Sequence, residues 1–280
     1  MLECFAEIER QGGVVSFVDP EPSGIVAPEK LQRALRKETV LISIGWGNNE
    51  IGIVQNMGKL SRAIRAREGG RNIMFHTDAG QAPLYLSAQV HSLGVDMMSI
   101  GSGKLYGPRG IGALYIRDAS LLAPVIVGGG QEKGLRSGTE EVVLAAGFAA
   151  ALEVVGRERN AESKRLLKLR DELARELVAH IHGVVINGDL RHALPHMLNV
   201  SIPGTKTGEY LALQLDHAGI AVSTKSACDE GNRASHVVAA LGGEEWRAIN
   251  TLRLSLGRET SARHLRKVAH VIEQLASHRS

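Results

Sequence analysis

Cysteine is nearly missing from this chain: its 280 residues contain two, Cys4 and Cys228, too few for the disulfide framework that holds small secreted domains together. Both thiols are expected to be free, in a reducing, cytoplasmic setting. No apolar run approaches the roughly 18 residues that a membrane helix requires. The opening MLECFAEIERQGG carries acids where a secretory signal has a basic start and an apolar middle, and reads as an amphipathic helix. Aromatics make up only 4% of the residues while glycine is plentiful, which suits an α/β enzyme with many tight turns better than a β-sandwich. Neither charge sign forms a long run, and 33 basic against 30 acidic residues leave a net charge of +3. No dedicated nucleic-acid or membrane surface is therefore indicated. Internal repeats and low-complexity tracts are absent too, and small-molecule chemistry is the remaining default.

What is present is enough apolar material, 44% of the chain, for a substantial core in one large domain or two modest ones. Short β-branched runs occur at 14–18 (VVSFV), 39–45 (TVLISIG), 73–79 (IMFHTDA), 97–101 (MMSIG) and 111–116 (IGALYI). Helical patterns such as PEKLQRALR and MGKLSRAIRARE lie between them. Such alternation predicts βαβ units and a largely parallel sheet, with functional loops at the carboxyl ends of the strands. After GGGQEKGLRSGT (128–139) two helices are expected at about 141–156 and 160–181, the second facing solvent. VVING, HMLNVSIPG, a helix over EYLALQLDHAG, a strand-like IAVSTKSA and a last helix from 260 follow. The reading is an α/β domain over 1–150 and a smaller α+β domain over 151–280, with a boundary uncertain by several residues.

Four segments carry chemistry. In SIGSGKLYGPRGIGALYI, Lys104 occupies a glycine-rich turn after a short strand. Held against the sheet, its amine becomes a Schiff-base nucleophile if burial and neighbouring cations disfavour the ammonium form; the alternative is a surface turn lysine. HTDAGQ puts Asp78 at the end of another strand. A carboxylate there would keep the pyridinium nitrogen of pyridoxal phosphate (PLP) protonated, with Gln81 on the ring's phenolic oxygen, or Asp78 caps the next helix. GGGQEKGLRSGTEE offers Lys133, Arg136, Ser137 and Thr139 ahead of a helix start, either an anion cradle or an ordinary loop with Thr139 as cap. Cys228, in STKSACDEGNRAS, lies in a polar stretch that reads as an exposed, reactive loop; free cysteines are otherwise often buried filler.

Together and in this order, these pieces resemble the cysteine desulfurases of the fold-type I, class V aminotransferase group. The resemblance rests on NNEIG (48–52), HTDAGQ (76–81), a lysine before LYGPRGIGALY, GGGQEKGLRSGT, NGD (187–189), LNVSIPG (198–204), SACDEG (226–231) and LRLSLGR (252–258). It implies a three-layer, PLP-transferase-like large domain with a mostly parallel sheet, plus a smaller α+β C-terminal domain. Lys104 looks like the cofactor's anchor, Asp78 the pyridinium partner and Gln81 the phenolate partner. Ser102, one position from the family's phosphate-holding serine, is its candidate replacement. Thr139 matches a residue that reaches the phosphate of a neighbouring subunit, which implies a homodimer. Asn49 and Arg253 match the carboxylate binders of the substrate. Cys228 matches the nucleophile that takes sulfur from L-cysteine as a persulfide, leaving L-alanine, for iron–sulfur scaffold or thiolation acceptors.

The chain departs from the family pattern at its start, where the large domain is already under way. A phosphate-binding turn and a ring-stacking histidine have no counterpart, and an open sheet edge is expected. His76 and the other histidines read as structural or surface residues. A complementing N-terminal chain, a non-catalytic scaffold role and a selenocysteine lyase activity are the alternatives.

Overall fold

The computed structural model describes residues 2–67, 70–204, 207–225 and 234–277. Its first part runs α1 (Leu2–Arg10), α2 (Pro28–Ala34), β1 (Leu41–Gly45), α3 (Met57–Arg65), β2 (Met74–Asp78), α4 (Val90–Leu93), β3 (Met97–Gly101) and β4 (Gly112–Ile116). The four strands form one sheet in chain order, with β1, β2 and β3 parallel and β4 returning antiparallel. The run at 14–18 forms no strand, and its Val14 and Phe17 are exposed. A β-branched run becomes a strand only where a neighbouring ladder satisfies its backbone groups.

Periodicity explains how the site-bearing strand is oriented. On β2, Phe75 and Thr77 are buried while Met74, His76 and Asp78 are half-buried, the alternation of a strand with one face in the core. α3 supplies part of that core through Met57, Leu60 and Ile64, one stripe of a helix whose N-cap Asn56 accepts from the Lys59 N–H at 3.0 Å. Phe75 is fully buried, so Phe75→Ala is expected to destabilise the fold by about 3–5 kcal/mol. Denaturant titration reads this directly, and a loss below about 1 kcal/mol would mean that the β2–α3 packing is misassigned.

α5 (Val142–His180) is one helix of 39 residues, not the two that the sequence suggested. The polar stretch at 156–160 interrupts the apolar spacing but holds no proline, so the hydrogen-bond ladder continues through it. Nor does the second half simply face solvent: Leu166, Leu169, Leu173 and Leu177 are buried.

Beyond α5 lie β5 (Val185–Ile186), β6 (Met197–Ser201), α6 (Gly208–His217), α7 (His236–Ala239), α8 (Trp246–Ile249), β7 (Thr251–Ser255) and α9 (Ala262–Ser277). β5, β6 and β7 make a second, antiparallel sheet. Of the strand expected over IAVSTKSA, the described residues 220–225 form only a single bridge between Ser223 and Arg253. One hydrophobic cluster includes Phe75 and Met98 of the first sheet, Leu173 of α5, and Leu198 and Leu252 of the second. A mostly parallel α/β part followed by an α+β part is the class that the sequence predicted. No helix among the described residues is long and apolar enough to cross a membrane.

Candidate active site

Because β1, β2 and β3 run parallel, their carboxyl ends share one edge, and two candidate residues sit there. Asp78 is the last residue of β2, in register with Gly45 of β1 and Ser99 of β3. Its Oδ1 accepts the Gly80 N–H at 2.9 Å, which folds the chain into a tight turn. The short 3-10 turn that follows has no side-chain cap, so Asp78 does not play the capping role. Lys104 closes the 3-10 turn Ser102–Lys104 directly after β3. A Cβ placed on Gly80 would lie 3.1 Å from Asp78 Oδ1 and 4.0 Å from Lys104 Cδ. The carboxylate and the lysine stem thus border one small volume, kept open by a glycine.

Lys104 is exposed, whereas the sequence suggested a lysine held against the sheet. The strand ladder has ended at this turn, whose Gly103 and Tyr106 are exposed as well. Ser102, by contrast, is fully buried, and its Oγ has no hydrogen-bond partner among the described residues. A buried hydroxyl of that kind calls for an acceptor or donor that the chain itself does not supply. These features, an open volume over Gly80, an acid and an amine on its border and an unpartnered hydroxyl next to the amine, fit a PLP group. Gln81 is half-buried just beyond the Asp78 turn.

Asn49 and Arg253, 204 positions apart, are joined directly: Arg253 Nη1 donates to the Asn49 carbonyl at 2.9 Å. Arg253 Nη2 donates to Ser223 Oγ at 3.1 Å, and the backbones of Ser223 and Arg253 exchange two more bonds. Its Nε is buried with no partner among the described residues. Burial pulls this guanidinium below its ordinary range, and the Glu50 carboxylate pulls it back up. A guanidinium fixed in this way has the chemistry to seat a carboxylate.

The loop at 128–139 forms no such seat within one chain. Ser137 Oγ donates to the Gly129 carbonyl at 2.9 Å and Arg136 Nη1 to the Ser137 carbonyl at 3.1 Å. Thr139 is exposed, and the N-cap of α5 is Glu141, so the capping alternative for Thr139 fails. Glu132 and Lys133 adopt left-handed backbone angles, φ 50° and 57°, a conformation that costs non-glycine residues energy and recurs at functional loops. Cys228 lies outside the described residues. Cys4 is exposed on α1.

Two histidines stand out that composition gave no reason to single out. His76 is pinned across three strands, Nδ1 to Ser43 Oγ at 2.8 Å and Nε2 to Ser99 Oγ at 2.7 Å; burial lowers its pKa, and Asp78 raises it. Its place two residues before Asp78 on a strand, hence on the same face, was the available signal. His196 stacks on Tyr85 with ring centroids 4.3 Å apart. Burial first, then Arg253 and Arg170, lowers its pKa to about 4. Below about 6.5 the unfolded chain takes up a proton that the folded imidazole refuses, so stability falls with pH from about 6.5 towards 4. The drop is expected to reach at most about 3 kcal/mol, and thermal melts of wild type and His196→Phe across that window check it. The variant should lose this part of the pH dependence; an unchanged profile would place the imidazole in water.

The family model for class-V aminotransferases matches residues 1–268. A cysteine desulfurase IscS from Dictyoglomus turgidum is 38% identical over 276 residues, 98% of this chain and 69% of the relative. One from Archaeoglobus fulgidus is 38% identical over 275 residues, covering 96% of this chain and 70% of its own. The chain thus spans about two thirds of the length of these curated relatives. Among solved structures, a NifS-like protein superposes with a TM-score of 0.89 at 32% identity over 99% of this chain and 72% of its own. A NifS-like protein from Rickettsia africae gives 0.84 at 26% identity over 98% and 73%. With the acid and the lysine converging at the sheet edge, and with this breadth of match, the chain belongs to the class-V aminotransferase family.

Proposed function

We propose that this chain is a PLP-dependent cysteine desulfurase, and the observation that carries the reading is the convergence of Asp78 and Lys104 on the volume over Gly80. PLP, when bound, supplies an electron sink for the charge that develops at the substrate's Cα. Lys104 would anchor the group, and its amine would serve as the base for the Cα proton. Asp78 would hold the ring nitrogen, Gln81 the phenolic oxygen and Ser102 the phosphate. Asn49 and Arg253 orient L-cysteine through its carboxylate. The Cys228 thiolate attacks the substrate's sulfur, keeps it as a persulfide and leaves L-alanine.

Acceptor proteins, iron–sulfur scaffolds or thiolation enzymes, take the sulfur onward in the cytoplasm. Thr139, exposed on its own chain, would reach the phosphate of the second subunit of a homodimer. Val125, Val127, Val142 and Val143 are exposed around the 128–139 loop, an apolar surface of the kind that a subunit interface covers. Val40 and Leu41, at the start of the edge strand β1, are exposed too, where a complementing chain would pair. The two functional units are 1–150 and 151–280, with α5 passing from one into the other.

Cys228→Ala tests the reading. Sulfide release from L-cysteine in the presence of a thiol reductant, which reduces the persulfide, is expected to fall to background while the visible absorbance band of bound PLP persists. Undiminished sulfide release from the variant would remove Cys228 from the chemistry.

A further inference from the structure

The carboxylate seat contains a charged residue that the reaction outlined above does not use. Glu50 follows Asn49 directly and is fully buried. A carboxylate taken out of water persists only where donors and opposite charge compensate it. One donor is Ser235, whose Oγ lies 2.6 Å from Glu50 Oε2 and also accepts the Val238 N–H that starts α7. The neighbouring guanidinium is that of Arg253, whose Nη1 is bonded to the carbonyl of Asn49, the residue before Glu50, and Glu50 acts to raise its pKa.

The turn around Glu50 is fastened on every side. Asn48 Oδ1 accepts the N–H groups of Glu50 and Ile51 at 2.8 and 3.0 Å. The Glu50 carbonyl accepts from Asn199 Nδ2 at 3.2 Å, and Asn199 sits opposite Arg253 in the β6–β7 ladder. Asn199 continues through Asn187 and Thr251 into a buried polar network. An acid at this point was not required to close a turn, since Asn48 already does so.

We propose that Glu50 is a positioning residue of the carboxylate seat: its buried charge complements the Arg253 guanidinium and its bond to Ser235 fixes the Asn49 turn. Preference for an amino acid over its amide then depends on Glu50. This deepens the function proposed above and rests on it.

The test compares L-alanine with L-alaninamide, which differ at the carboxylate, titrated into PLP-reconstituted protein and read from the visible spectrum. Glu50→Gln keeps the shape and a bond to Ser235 but removes the charge. It is expected to weaken L-alanine about tenfold and L-alaninamide less than about twofold, with KM for L-cysteine rising more than kcat falls. Equal weakening of both ligands, or of neither, overturns the proposal.

Ser235→Ala, which releases the carboxylate, should also reduce the preference for L-alanine. It decides the matter if Glu50→Gln does not fold, and full preference in it overturns the proposal. In cofactor-free protein, phenylglyoxal should label Arg253 several-fold faster in Glu50→Gln than in wild type, as read by mass spectrometry. Equal labelling overturns the role of Glu50 whatever the cofactor does. Faster labelling in a chain that binds no PLP sinks the proposed function and leaves the role of Glu50 standing.

Discussion

Lys104→Ala protein is expected to release sulfide from L-cysteine, with a thiol reductant present, at least about a thousandfold more slowly than wild type, because in the proposed function one amine would both anchor PLP and move the Cα proton. The placement behind this is specific. Lys104 follows β3 at the strand end, and its stem passes close to Gly80 and Asp78. Its exposure also means that truncating it leaves no cavity, so the thermal midpoint of the cofactor-free variant should match wild type. Steady-state sulfide assays and melts on the same preparation separate the two effects. Near wild-type turnover in the variant would show that another amine does the work.

Asp78→Asn is the second large effect. Asparagine preserves the shape of the side chain and its acceptor for the Gly80 N–H, but it removes the charge that, in the proposed function, would face the ring nitrogen of PLP. Preorganised charge at such a point is worth about a hundred- to a thousandfold in kcat. The expected result is that loss with KM for L-cysteine within about twofold of wild type, since the carboxylate seat at Asn49 and Arg253 belongs to a different turn. A raised KM with an unchanged kcat would assign Asp78 to substrate binding and contradict the account.

Much of this site was visible in local patterns because parallel strands end at a common edge. Two β-branched runs terminating in Asp78 and near Lys104 therefore place both residues on that edge. The pairing of Asn49 with Arg253 was not accessible that way. No periodicity links residues 204 positions apart, and the pair was named only through resemblance. Burial was the property least available: Lys104 was expected against the sheet and is exposed, while Glu50, a charged residue that the sequence did not single out, is fully buried. Burial is decided by what packs on top, here α7 through Ser235, and that information is spread along the chain. α5 was read as two helices for a similar reason. An amphipathic pattern changes phase when a helix passes from one set of neighbours to another, although its backbone ladder does not break.

His76 and Glu50 share a further property: each is a polar group held by serine hydroxyls close to a residue of the candidate site. Such groups break the rule that a strand face or buried turn should be apolar, and they do so where function asks for fixed charge or fixed geometry.

The most direct measurement is borohydride reduction of the PLP-reconstituted protein, followed by peptide mapping by mass spectrometry. The account predicts a pyridoxyl group on Lys104, absent from Lys104→Ala. Attachment to a different lysine, or no attachment in protein that remains folded, would contradict it.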